Sequence, residues 1–193
     1  MLPDWRAKTV ACLASGPSLG ADGYADCTRV RASGIPAIVT NTTFRNCPWA
    51  DALYAYDAAW WRKYLPEIRA IFRGRLFTQS TSRIAGVECV KLHALGFRDF
   101  GNSGACAVSL AISAGAARVL MLGYDCQNTG GRSHHHGDHP KGLGNCGSMP
   151  RWPAQFGRLA RYAKERGVEV INVSRETALT CFPRHSLEEA LDG

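Results

Sequence analysis

The 193-residue chain has no apolar run that could cross a bilayer uninterrupted. Its longest, Ala105 to Tyr124, is broken by Ser109, Ser113, Gly115 and Arg118. That stretch reads as a buried helix followed by a strand, which excludes a membrane span there. No two cysteines form a CxxC pair, so neither a zinc ribbon nor a thioredoxin-type redox motif is present. The opening MLPDWRAKTV lacks the apolar core of a signal peptide, so a cytoplasmic protein is expected. There is no internal repeat, low-complexity tract or linker, and residues 1–193 are expected to form one domain.

What is there is the composition of a globular protein, 46% hydrophobic and 20% charged. Eight cysteines, at 12, 27, 47, 89, 106, 126, 146 and 181, fall partly inside apolar runs and read as reduced core residues. The net charge of +7 favours an anionic partner such as a nucleotide or acidic glycan and leaves nucleic acid open. No RNP motif, zinc finger or interleaved basic–aromatic pattern supports nucleic-acid binding.

Short β-type runs alternate with helical stretches. TVACLA (9–14), AIVT (37–40), ALYAY (52–56), RVLML (118–122) and VEVINV (168–173) predict strands, with shorter ones at 75–78 and 87–92. Helices are predicted over 24–33, 58–72 (interrupted by Pro66), 103–114 and 153–166, and Ser186 with Glu189 forms a capping box for a terminal helix. This order implies an α/β, Rossmann-like domain: a mostly parallel sheet with helices on both faces and ligands at the strands' carboxyl ends.

The polar clusters fall at those ends. The ASGPSLG turn (14–20) matches neither GxGxxG nor GxxxxGK[ST]. Its glycine–proline geometry lets the backbone approach a phosphate, with Ser15 and Ser18 as hydroxyl donors; the alternative is a plain β–α turn. Asn41, after the second strand, is placed to bond a ligand or to make an Asx turn. Asp57 and Asp125 each end a strand, suited either to Mg²⁺ near phosphates or to capping. Asn102, Ser103 and Gly104 open a small-residue helix whose first amides face an anion.

GRSHHHGDHPKG (131–142) packs four histidines into six positions. With Cys126 and Cys146, His134, His136 and His139 supply ligands enough for zinc, but their spacing fits no structural zinc pattern. A general base near neutral pH is the favoured reading, zinc the second and a solvated loop the third. Gly130, Gly131, Gly137, Gly142, Gly144 and Gly147 suggest a mobile lid over about 126–150 that orders over ligand.

Together these segments resemble the bacterial sialyltransferases of glycosyltransferase family 42 and the related DUF115, or 6-hydroxymethylpterin diphosphokinase-like, proteins. The likeness rests on the strand into GPSL (16–19), the Asn-led NTTF (41–44), SGACAVSLAISAGAARVLMLGYD (103–125), the histidine lid, VEVINVS and the closing TALTCFPR. It implies that Gly16, Pro17 and Ser18 approach a donor nucleotide and that Asn41 binds its phosphate or sugar. It also implies that Asn102, Ser103 and Gly104 cradle the donor while a lid histidine deprotonates an acceptor hydroxyl, with no metal required. His139 is favoured as base, then His136.

The sialyltransferases carry lid tyrosines that touch the phosphate. Here Gln127 stands at the first such position, and no tyrosine occurs between Tyr124 and Tyr162. The expected activity is transfer from a nucleotide sugar, CMP-activated foremost, to a hydroxyl acceptor. The alternatives are an ATP- and Mg²⁺-dependent diphosphokinase-like enzyme using Asp57 and Asp125, and a nucleotide-binding module without catalysis. Family members often assemble as homo-oligomers, which the resemblance implies here.

Overall fold

The computed structural model describes residues 2–19, 23–92, 96–143 and 146–192. Gly20 of the first turn and Gly144 of the lid lie outside the described residues. Strands β1 (Thr9–Leu13), β2 (Ala37–Thr40), β3 (Ala52–Tyr54), β4 (Arg75–Thr78), β5 (Glu88–Cys89), β6 (Arg118–Leu122) and β7 (Glu169–Asn172) form one sheet, ordered β5-β4-β3-β2-β1-β6-β7. Every pairing is parallel, in register from Ala11 opposite Ala37 and Val10 opposite Val119 outward.

Period-2 alternation sends each strand's side chains to two cores. Val10, Cys12, Ile38, Val119 and Met121 pack on one face with α3 (Ser103–Ser113) and α4 (Trp152–Glu165). Ala11, Leu13, Val39, Leu120 and Leu122 pack on the other with α1 (Gly23–Ser33), α2 (Ala58–Ile71) and α5 (Leu187–Asp192). A sheet buried on both faces explains the near-continuous apolar strands. The chain runs outward from β1 through β2 to β5, then returns to β1's other side with β6. That reversal places the switch point, where parallel sheets bind ligands, at the carboxyl ends of β1, β2 and β6.

The expected elements are present, with adjustments at their ends. Pro66 does not interrupt α2, which runs unbroken to Ile71; the proline lies on the exposed face, where the carbonyl it leaves unpaired meets water. Past Tyr54 the third strand keeps one more ladder bond, Ala55 N to Phe77 O (3.1 Å), and then ends as Tyr56 N turns to the Ser103 hydroxyl (3.1 Å). The 87–92 run keeps only Glu88–Cys89 as strand and coils at Val90–Leu92 into a 3₁₀ turn. NTTF is likewise no simple Asx turn but a 3₁₀ helix, Asn41–Arg45. The capping box forms, Ser186 N donating to Glu189 (2.9 Å) and Glu189 N to the Ser186 hydroxyl (3.2 Å). All eight cysteines are free, but only Cys12, Cys27, Cys47 and Cys106 are buried, so half of them leave the expected core.

Candidate active site

The floor of the site is the turn after β1. Ala14 N donates to Leu122 O and Gly16 N to Gly123 O, both at 2.8 Å, extending the ladder past the end of the sheet. A Cβ at Gly16 would overlap the Asp125 carboxylate and the Gly123 carbonyl, so only glycine brings the backbone this close. Asp125 is 1% exposed and holds the turn from behind. It accepts from Ser18 N (2.9 Å), the Ser18 hydroxyl (2.6 Å) and Thr129 Oγ1 (3.1 Å). Burial raises its pKa, outweighing the hydrogen bonds that pull it down. The Ser15 hydroxyl lies 3.0 Å from Thr43 Oγ1, tying this turn to the 3₁₀ helix beside it.

The wall is the start of α3. Asn102 caps it, accepting from Ala105 N (2.8 Å) and donating to Gln155 (2.7 Å). The Ser103 hydroxyl donates to Asn41 Oδ1 (3.1 Å), and Asn41 takes the left-handed backbone (φ 48) that asparagine tolerates better than most residues. An α-helix leaves its first amides without internal partners, so the N–H groups of Ser103 and Gly104 open the helix toward the cleft.

The roof is the histidine loop, pinned by His135. Its backbone N donates to Ser15 O (3.1 Å), and its ring lies 3.4 Å from Thr43 Oγ1 and 3.5 Å from Asn46 Nδ2. The other three rings form a triangle: His134–His136 4.9 Å, His136–His139 4.8 Å and His134–His139 5.2 Å between centroids. Cys146 Sγ lies 3.1 Å from His134 Nε2, while His134 Nδ1 and His136 Nε2 are buried without hydrogen-bond partners. Among the described residues no group of three or more His, Cys, Asp or Glu is arranged to hold a metal ion.

Burial lowers the pKa of all four imidazoles: His134 and His135 to about 4, His136 to about 3, and His139 below its usual value, with Arg45 adding repulsion at His136 and His139. These imidazoles are therefore uncharged at pH 7. An unfolded histidine titrates near about 6.5, so below that pH the unfolded chain binds protons the folded lid refuses, and stability rises with pH across this window. The melting temperature is expected to fall steadily from pH 6.5 toward 4. A His134→Asn/His136→Asn variant should show a shallower fall; parallel curves would contradict this account.

These three parts enclose a cleft of about 620 Å³. Of the sequence-derived residues, Ser15, Gly16, Asn41, Asn102, Ser103, Gly104, Gln127 and His139 line it. Pro17, Ser18, Asp125 and His136 do not line it: Ser18 and Asp125 bond each other beneath the turn, and the His136 ring packs against those of His134 and His139. Among the described lining residues there is no lysine or arginine, and Asp57 is the one carboxylate.

No family model matches the chain, and no curated protein sequence matches it. Solved structures do. The MAf glycosyltransferase of Magnetospirillum magneticum superposes over 97% of this chain at 14% identity with a TM-score of 0.62. The chain spans 35% of that protein's length. The Campylobacter jejuni sialyltransferase CstII, solved with cytidine-5'-monophosphate, matches 93% of this chain and 85% of its own at 13% identity and a TM-score of 0.57. The same enzyme with CMP-3FNeuAc matches at 11% identity and 0.53. The chain has the fold of these glycosyltransferases. Among the described residues no helix is long and apolar enough to cross a membrane.

Within this glycosyltransferase fold the cleft also takes in residues that sequence reasoning passed over: Tyr56, Trp60, Tyr124, Trp152 and Phe156. Each sits where periodicity says core. Trp152 and Phe156 are one helical turn apart, and Trp60 opens α2's apolar face. For Tyr56, Trp60 and Tyr124 the signal was proximity to strand ends, since an aromatic just after a strand borders the rim as well as the core; Trp152 and Phe156 carry no such signal.

Proposed function

We propose that the protein is a glycosyltransferase that takes a sugar activated by a nucleoside monophosphate, of the CMP-sugar kind, and passes it to an acceptor hydroxyl. The carrying observation is the charge of the cleft. Its described lining offers backbone amides, hydroxyls and carboxamides but no lysine or arginine. Such a set suits one phosphate, whose charge the first amides of a helix and neighbouring hydroxyls can meet. A di- or triphosphate would demand more positive charge than these groups supply. The structural neighbour solved with CMP has the same fold, which fits this reading.

In the reaction, the acceptor oxygen bonds to the anomeric carbon as the bond from that carbon to the phosphate oxygen breaks. The electron pair leaves with the nucleoside monophosphate, stabilised by the amides of Ser103 and Gly104. The acceptor's proton passes to a ring nitrogen of His139, which is held neutral and able to receive it. Gln127, Asn41 and Asn102 line the donor's path. No metal is needed for these steps. In the alternative, ATP- and Mg²⁺-dependent diphosphokinase reading, Asp57 and Asp125 would share the ion, but Asp125's oxygens are spent on Ser18 and Thr129.

Thermal shift tests the choice. At about a hundredfold over Kd a ligand adds about 2.7 kcal/mol, or roughly 5–10 °C for a domain of this size. CMP is expected to give that shift equally in EDTA and in Mg²⁺. Stabilisation by ATP only with Mg²⁺ would move the assignment to the diphosphokinase. Stabilisation by CMP without turnover of any CMP-sugar would leave a binding module.

A further inference from the structure

Asp57 stands at the N-cap of α2 with extended backbone (φ −92, ψ 128), where an aspartate ordinarily accepts a first-turn N–H. It makes no such bond, and among the described residues its carboxylate has no hydrogen-bond or ion-pair partner. It lines the cleft instead. Three positions on along the same helix face comes Trp60, 4% exposed and also lining the cleft, and one turn further comes Tyr64. The Trp60 and Tyr64 rings are 5.1 Å apart, and Tyr64 lies 6.3 Å from His139. One helix face thus leads from a spare carboxylate, past an aromatic wall, to the imidazole assigned as base.

That sequence of groups has a chemical meaning. Two carboxylate oxygens accept side by side, matching the spacing of neighbouring hydroxyls on a sugar ring. An indole gives the ring's C–H surface an apolar wall. An anionic acceptor would meet Asp57 with no lysine or arginine in the described lining to offset it. Partial burial raises the Asp57 pKa, a cost that ligand hydroxyls donating to the carboxylate would relieve.

We propose that Asp57 and Trp60 form the acceptor subsite, which takes a neutral pyranoside, binds two neighbouring hydroxyls at Asp57 and presents another hydroxyl to His139. The subsite rests on the transferase reading above and names its acceptor class.

The test is saturation-transfer difference NMR on the full chain with saturating CMP. The probes are methyl β-D-galactopyranoside, methyl α-D-glucopyranoside and the anionic methyl β-D-glucuronide. At least one neutral pyranoside is expected to receive saturation and the glucuronide much less. Asp57→Ala should weaken the neutral ligand tenfold or more, and Asp57→Asn, which keeps one acceptor oxygen, should weaken it less. The ligand-free melting temperature checks that both variants fold.

Absence of transfer to both neutral probes while CMP stabilises the protein would overturn the subsite and leave the transferase standing. Equal binding of the glucuronide, or an Asp57→Ala variant that folds and binds normally, would also overturn it. Pyranoside binding that depends on Asp57 without any CMP stabilisation would uphold a sugar site and remove the nucleotide reading instead.

Discussion

Replacing His139 by alanine is expected to lower sugar transfer by about 10²–10⁴-fold, the usual worth of a positioned general base, while CMP still stabilises the protein. The separation follows from geometry. His139 belongs to the lid and rests beside Tyr64, whereas the amides assigned to the phosphate belong to the start of α3. His136→Ala should cost much less, because that ring does not line the cleft. The pH profile gives a second reading of the same assignment. A base must be neutral to act, and the His139 pKa is lowered, so the acid limb of kcat/KM should lie below that of an ordinary histidine. If His134→Ala, rather than His139→Ala, removes the activity and that acid limb, the base is its neighbour in the cleft.

Gly16→Ala should be the most damaging single methyl in the molecule. The added carbon would meet the Asp125 carboxylate and the Gly123 carbonyl, and neither is the far end of a flexible chain. Asp125 is fixed by Ser18 and Thr129, and Gly123 lies on the backbone that follows β6. Overpacking of this kind costs about 1–3 kcal/mol, so a fall in melting temperature of roughly 2–12 °C is expected. The turn must shift to fit the methyl, so CMP stabilisation should vanish in any soluble protein that remains. Gly157→Ala is the control: a Cβ there meets nothing within 4 Å, and in α4 alanine favours the helix by up to about 1 kcal/mol. A Gly16→Ala protein as stable as this control would mean that the turn is not as close to Asp125 as described.

Much of this architecture could be read before any coordinates. The RVLML strand begins and ends where periodicity puts it, and the capping box of Ser186 and Glu189 forms as its spacing requires. Where the reading failed, a distant partner had intervened. The third strand ends early because Tyr56 turns its amide to Ser103, from a helix 47 positions further on. No window of sequence around Tyr56 contains that hydroxyl.

The histidine loop shows the same division more sharply. Its composition announced a lid but not which ring would serve. Tertiary contacts separate the rings: His135 docks on Ser15, Thr43 and Asn46, while His134 and His139 line the cleft. Asp125 and Asp57 looked alike in sequence, each an aspartate closing a strand. Packing gave one to the glycine turn and left the other facing the cavity.

The sequence by itself determined the parallel sheet, its helices and the rim where the polar residues gather, because apolar periodicity and turn chemistry act over a few neighbouring residues. Only the tertiary structure decided which of those polar groups would hold one another and which would face the cavity. That outcome depends on hydrogen-bond partners scores of positions apart, and only the assembled sheet brings them within reach.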